Sequence, residues 1–165
     1  MWIVAKVDKK NLFNLKKEFS FKLGEGLQIY SPKILLEKFA KKKLIKKEIE
    51  ILGDYIFCFH NKFESSNSTV SLKYTKGLKY FLPRSEFSQK EIKSFILKCK
   101  NNENSKGYLR QSFFDIYINR QYKFNNGPFA DKIFNIINIQ KNKINILLEN
   151  IKTKIDKNKF IFKPV

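Results

Sequence analysis

The side chains able to do chemistry are few and far apart. The chain carries a single histidine, His60, and two cysteines, Cys58 and Cys99. Cys58 and His60 are two residues apart, so on one strand they would share a face and a thiolate–imidazole pair is geometrically open. Such a pair needs a third group to orient the ring, and only Asp54 and Glu64 lie near it in sequence. A histidine at a strand end reads more simply as an ordinary surface residue. Gly24-Glu25-Gly26 lacks the third glycine of a dinucleotide loop and the lysine of a phosphate loop. Metal-ligand spacing is absent as well. The pattern argues against an enzyme and calls for no cofactor and no metal. Both cysteines sit in apolar runs and read as small core residues in a reducing compartment, the cytoplasm. No apolar run is long enough for a signal peptide or a membrane span.

Surfaces are what remain. The chain has 165 residues, 34 Lys and Arg against 15 Asp and Glu, and a net charge of +19. A charge of that size favours an anionic partner. A chain rich in Lys, Asn, Ile and Phe is equally what AT-rich coding produces, and both readings stay open. Arginine is scarce (Arg84, Arg110, Arg120), which speaks against dense bidentate base readout and leaves phosphate contact by lysine. Lys9, Lys10, Lys38 and Lys76 are candidates for such contact, although for any single lysine a solvated face is the better reading. With 17 Phe and 7 Tyr the chain has ample material for packed cores. Tyr55, Phe57, Tyr80 and Phe81 are candidates for an apolar docking patch, although periodicity alone favours plain core packing.

The elements that would position these residues follow from pattern. Residues 2–7 are β-branched and aromatic, a strand. Asp8 stands where an N-cap belongs, and Leu12, Leu15, Phe19 and Leu23 follow at helical spacing. Gly24 to Gly26 ends that helix, and residues 27–30 restart extended structure before Pro32. Residues 38–48 are lysine-rich and read as part of a long hairpin or as a short helix. The run Tyr55 to Phe59 is continuously apolar, as expected of a central strand. Residues 65–74 fit a short serine-capped helix, and 78–82 a strand stopped by Pro83. Ser88-Gln89-Lys90-Glu91 is a capping box opening a helix with Ile92, Phe95, Ile96 and Cys99 on one face. The polar stretch 101–107 looks like a linker. Beyond it, residues 113–118, 122–124, 133–139, 144–148 and a run near Phe160 are short β-type segments separated by turn residues, the pattern of a small barrel. The expected fold is α+β: an N-terminal α/β sandwich of mainly antiparallel strands over residues 1–102, a linker at 103–111, and a β-barrel over 112–165.

Two motifs sharpen this. Asn125-Asn126-Gly127-Pro128-Phe129-Ala130-Asp131 closely resembles the Asn-Asp-Gly-Pro-Phe-Ala-Asp segment that opens the KOW motif in the C-terminal barrel of the NusG family. Trp2-Ile3-Val4-Ala5 resembles the family's Trp-Tyr-Val-Val strand, and Leu52 to Phe57 its Phe-Pro-Gly/Asn-Tyr strand entry. Pro32 to Lys38 and Thr75 to Phe81 resemble segments of the specialised RfaH paralogue. Departures are the Gly53-Asp54 pair before Tyr55, the bulky Phe134 where a glycine is usual, and Asn119-Arg120 in place of Gly-Glu.

The resemblance implies an NGN-type N-terminal domain and a KOW barrel in a monomeric transcription elongation factor. By motif position, Leu52, Tyr55, Phe57, Tyr80 and Phe81 would dock on the clamp helices of RNA polymerase. Ser68 and Thr69 fall where RfaH meets the polymerase gate loop. Lys9, Lys10 and Lys76 would face upstream or non-template DNA, and suppression of pausing or termination would follow. The barrel, with Asn126, Gly127, Pro128, Phe129, Ala130 and Asp131 as its motif, would recruit the ribosomal protein NusE or Rho. The alternatives are a general NusG that supports Rho termination and a basic, ribosome-associated RNA-binding protein built on a KOW barrel. The β-branched tail favours the barrel over a helical form.

Overall fold

The computed structural model describes residues 1–40 and 43–165, and of residues 38–40 and 66 the backbone only. Two compact units emerge. The first comprises Met1–Pro32 with Glu50–Leu97, the second Lys33–Ile49 with Lys98–Val165.

In the first unit, β1 (Trp2–Val7) lies at the centre of a four-stranded sheet with β2 (Gln28–Tyr30), β5 (Tyr55–Phe59) and β6 (Leu78–Phe81), in the order β2-β5-β1-β6. Every pairing is antiparallel, with Lys6 opposite Tyr55 on one side and Tyr80 on the other. The central strands are apolar on both faces because both faces are covered. Ile3, Ala5, Val7, Ile56 and Cys58 point to one side. There α1 (Leu12–Leu23) presents Leu15, Phe19 and Leu23, all buried, with Phe63 and Leu72 completing the core. Phe19 and Phe63 are almost wholly out of water, and each side chain contributes about 1.5–3 kcal/mol by burial. Asp8 starts this segment as foreseen, accepting the Lys10 N–H at 3.1 Å and the Asn11 side-chain amide at 2.7 Å. One 3-10 turn (9–11) precedes the α-helix. The second short helix, α2 (Ser66–Leu72), follows Ser65, which makes no side-chain cap bond. The helix α3 begins at Gln89 and runs to Asn101. Its Ile92 and Ile96 cover Trp2 and Phe57 on the opposite face of the sheet.

The second unit contains the pair β3 (Lys33–Ala40) and β4 (Lys43–Glu50), so the lysine-rich stretch forms a hairpin rather than a helix, with 41–42 outside the described residues. By its contacts this hairpin groups with residues 98–165, whereas the sequence placed it with the N-terminal domain. Stretch 103–111 is ordered by bonding: Glu103 bridges Leu109, Lys33 bridges Tyr108, and Leu109 is buried. The five-stranded sheet has the order β10-β9-β8-β7-β11, from β7 (Gln121–Phe124), β8 (Ile133–Ile139), β9 (Lys143–Leu148), β10 (Ile151–Asp156) and β11 (Phe162–Pro164). Tyr122, Phe124, Phe134, Ile136, Ile144, Ile146, Ile155 and Phe162, from all five strands, share one buried cluster. A sheet whose strands all turn one face to a common core is curled upon itself, a small barrel. Residues 113–118 are not a strand. A 3-10 turn at 111–113 is followed by irregular chain, held where the Tyr117 N–H donates to the Tyr122 hydroxyl at 2.8 Å and Ile116 packs on the core. Strand β10 was not foreseen, since its Ile-Lys-Thr-Lys-Ile run lacks a continuous apolar signal. The fold is thus α+β, a sheet sandwiched between helices together with an all-β barrel.

Candidate docking face

Alternation along β1 sends Trp2, Val4 and Lys6 to the face opposite α1. Tyr55, Phe57 and Phe59 of β5 and Tyr80 of β6 join them, the registers placing Tyr55, Lys6 and Tyr80 in one row across three strands. The Tyr55 and Tyr80 hydroxyls are 3.2 Å apart. Lys6 Nζ stands 5.4 Å from the Tyr55 ring centroid and 5.8 Å from that of Tyr80, within cation–π range. The hydrogen bond with Tyr80 holds the Tyr55 hydroxyl below the usual phenol range, and the same bond raises Tyr80.

This face is half covered. Trp2 and Phe57 lie beneath α3, with Phe57 only 6% exposed and its ring 5.8 Å from Phe95. Tyr55, Val4 and Leu52 are half-buried and Tyr80 is 44% exposed, so an apolar step is left beside the helix. Of the residues singled out from sequence, Leu52, Tyr55 and Tyr80 offer accessible surface here, while Phe57 forms its floor. Phe81 is on the other side of the sheet, 6.1 Å from Phe19 and 6.4 Å from Phe63. Adjacent residues of one strand point oppositely, so Tyr80 and Phe81 cannot serve one face together. With Ile3, Phe63 and Thr69, Phe81 lines a half-open hollow of about 680 Å³ between α2 and β6. The Ser68 hydroxyl is engaged within the chain, donating to the Lys62 carbonyl. Lys6 was missed, although the period-two pattern of β1 marks it as the polar end of the same face.

The lysines divide. Lys9 Nζ is 2.6 Å from Glu50 Oε2 and so is engaged in an ion pair within the chain. Lys10 is exposed beside the Asp8 cap. The Asp8 N–H donates to the Gly77 carbonyl at 2.8 Å, which brings the Lys76 segment alongside α1. There Lys76 shares a cleft with Asn14, Lys17, Glu18 and Phe21. The side chain of Lys38 lies outside the described residues.

The Asn126–Asp131 loop works as the turn between β7 and β8. Asn126 Oδ1 accepts the Ile161 N–H at 2.6 Å. Gly127 has φ +75°, and a Cβ there would sit 2.9 Å from the Phe160 ring. Its N–H donates to Glu37 Oε2 of β3 at 3.3 Å. The rings of Phe129 and Phe160 both pack against Phe124. The Asp131 N–H donates to the Phe124 carbonyl and its carboxylate pairs with Lys123 at 3.0 Å.

Catalytic geometry does not assemble around His60. The ring is buried, with Nε2 bonded to the Glu25 carbonyl at 2.9 Å and Nδ1 accepting the Lys62 N–H at 3.1 Å. Cys58 is sealed on the α1 side of the sheet, where burial pushes its thiol up to about 12. Among the described residues no group of three or more His, Cys, Asp or Glu could hold a metal ion, and no helix is long and apolar enough to cross a membrane.

No protein-family profile and no curated protein matches the chain. Solved structures similar to it include a chain of the MjSpt4:Spt5 complex, at 15% identity and TM-score 0.31, covering 100% of this chain and 98% of that one. Another is Thermotoga maritima NusG, at 10% identity and TM-score 0.34, covering 94% and 91%. Likeness at this level leaves the fold and the site to rest on the chain's own residues.

Proposed function

We propose that the chain is a transcription elongation factor of the NusG type, which docks on RNA polymerase through the open part of the aromatic face. The observation that carries this is the row Tyr55–Lys6–Tyr80, a partly exposed amphipathic step beside an apolar floor of Trp2 and Phe57. Aromatic side chains partly out of water, next to a packed apolar wall, are the usual anchors of a protein interface. A helical partner such as the polymerase clamp helices would lay its apolar side along that step. The motif segment Asn125–Asp131 and the order β1-α1-β2-β5-α2-β6-α3 of the first unit support the same family, with residues 1–102 proposed as the polymerase-binding part and 112–165 as the KOW part. Lys10 and Lys76 would run beside non-template or upstream DNA, adding salt-dependent affinity without sequence lock. Within this reading an RfaH-like antiterminator is preferred to a general NusG, because residues 32–38 and 75–81 resemble that paralogue. The barrel would recruit NusE or Rho.

Co-purification of the full chain with core RNA polymerase, in competition with a clamp-helix fragment, tests the docking. Capture that the fragment abolishes supports it, and absence of capture refutes it. A second reading, a KOW-type RNA-binding protein, is favoured by Lys163 on β11 and by Lys152 and Lys154 on β10. It predicts binding to structured RNA that is indifferent to Tyr55 and Tyr80.

A further inference from the structure

Strand β6 ends at Phe81, yet β1 continues back to Trp2, and side chains complete the ladder there. The Val4 carbonyl still accepts the Leu82 N–H at 2.7 Å. The Val4 N–H donates to Ser85 Oγ at 3.4 Å, and that hydroxyl donates to the Leu82 carbonyl at 2.9 Å. At Trp2 the partner is Gln89, the first residue of α3. Gln89 Oε1 accepts the Trp2 N–H at 3.0 Å, and Nε2 donates to the Trp2 carbonyl at 2.6 Å and to the Ser85 carbonyl at 2.7 Å. The carboxamide therefore does for Trp2 what a neighbouring strand's peptide group does elsewhere in a sheet. Three and seven residues further along α3, Ile92 and Ile96 close over Trp2 and Phe57.

We propose that Gln89 is a positioning residue for the docking face: its amide fixes the first turn of α3 on β1 and so sets where the covered part of the aromatic face ends. The inference rests on the docking reading above. Apolar contact with Ile92 and Ile96 holds the helix to the sheet but is non-directional, and a bidentate amide supplies the direction. Glutamine suits the position by chemistry. Glutamate accepts from the Trp2 N–H and has nothing to donate to the two carbonyls, while leucine leaves both Trp2 groups unpaired and the Ser85 carbonyl with the Ser88 N–H alone, at 3.3 Å.

The test compares the full-length wild type with Gln89→Glu, Gln89→Leu and the exposed-site control Lys93→Ala. Hydrogen exchange at the Trp2 amide, the fluorescence of Trp2 and affinity for core RNA polymerase are measured on each. Gln89→Leu is expected to speed Trp2 exchange about tenfold, the effect of the unmade Trp2 N–H bond, and to weaken polymerase binding. Gln89→Glu is expected to keep the Trp2 amide protected, to shift Trp2 fluorescence and to lose polymerase affinity, and Lys93→Ala to change none of the three. Unaltered Trp2 exchange in Gln89→Leu overturns the clamp. Fast exchange with full polymerase affinity overturns its role in docking, as does an equal loss in Lys93→Ala. If the wild type itself fails to bind polymerase, the docking reading falls and the role with it, while Trp2 exchange still reports the clamp.

Discussion

Replacing Gly127 by alanine probes the loop on which the barrel turns. Two separate effects act there. The backbone has φ +75°, where an L side chain is disfavoured by about 1–2 kcal/mol. The added methyl would meet the Phe160 ring at 2.9 Å for one carbon and 3.1 Å for the next. That ring is wedged between Phe124 and Phe129, with centroids 5.5 and 6.0 Å away, so it cannot swing clear without disturbing both. Overpacking of this kind costs about 1–3 kcal/mol. Together the loss is about 2–5 kcal/mol, a large share of the 5–15 kcal/mol that stabilises an ordinary domain. Gly107 offers the comparison, since it too has φ +75° but nothing lies within 4 Å of its would-be Cβ. Gly107→Ala should therefore lose only the backbone part. Urea unfolding followed through amide signals of β7 and β8 measures both variants, because the two units need not unfold together. Phe160→Leu introduced into Gly127→Ala should recover part of the difference. Equal losses in Gly127→Ala and Gly107→Ala would refute the reasoning, because the Phe160 contact would then carry no energy.

Other outcomes follow from the same geometry. Cys58 should resist iodoacetamide at about pH 8 until the chain unfolds, because burial holds its thiol near 12, far above the ordinary thiol range; mass spectrometry of the Cys58 peptide reads this. Asp8 is held below its ordinary value of 3.8 first by the Asn11 amide and then by the Lys10 N–H. A lowered folded value means stabilisation that is complete above 3.8 and lost as pH falls through the lower value, so acid melts of Asp8→Asn should lose that part of the pH dependence. Lys10→Ala with Lys76→Ala should lower the slope of log affinity against log salt for DNA by about 2, and Lys9→Ala, already paired with Glu50, should barely change it.

Much of the fold is legible in the residues because most elements carry an undisturbed period. Leu15, Phe19 and Leu23 mark α1, and the unbroken run Tyr55–Phe59 marks a strand covered on both sides. Where two signals compete, pattern fails. Strand β10 sets Lys152 and Lys154 between Ile151, Thr153 and Ile155 at a sheet edge, and its charge hides it. Residues 113–118 carry apolar side chains without pairing in a sheet, and of them Ile116 packs against the barrel core. The site is legible in composition but not in depth. Tyr55, Phe57, Tyr80 and Phe81 are chemically alike, and only register shows that Phe57 is floor, Tyr55 and Tyr80 are surface, and Phe81 faces away. Partners far apart in sequence, such as Gln89 with Trp2 or Glu37 with Gly127, leave no local trace.

The affinity of full-length Tyr55→Ala/Tyr80→Ala for core RNA polymerase bears most directly on the docking face. Both rings reach solvent, so the variant should keep wild-type thermal stability to within about 1 kcal/mol. Polymerase binding should fall by at least about thirtyfold, as for two interface anchors removed together. Undiminished binding by this folded variant would mean that the chain meets polymerase elsewhere, or not through this face at all.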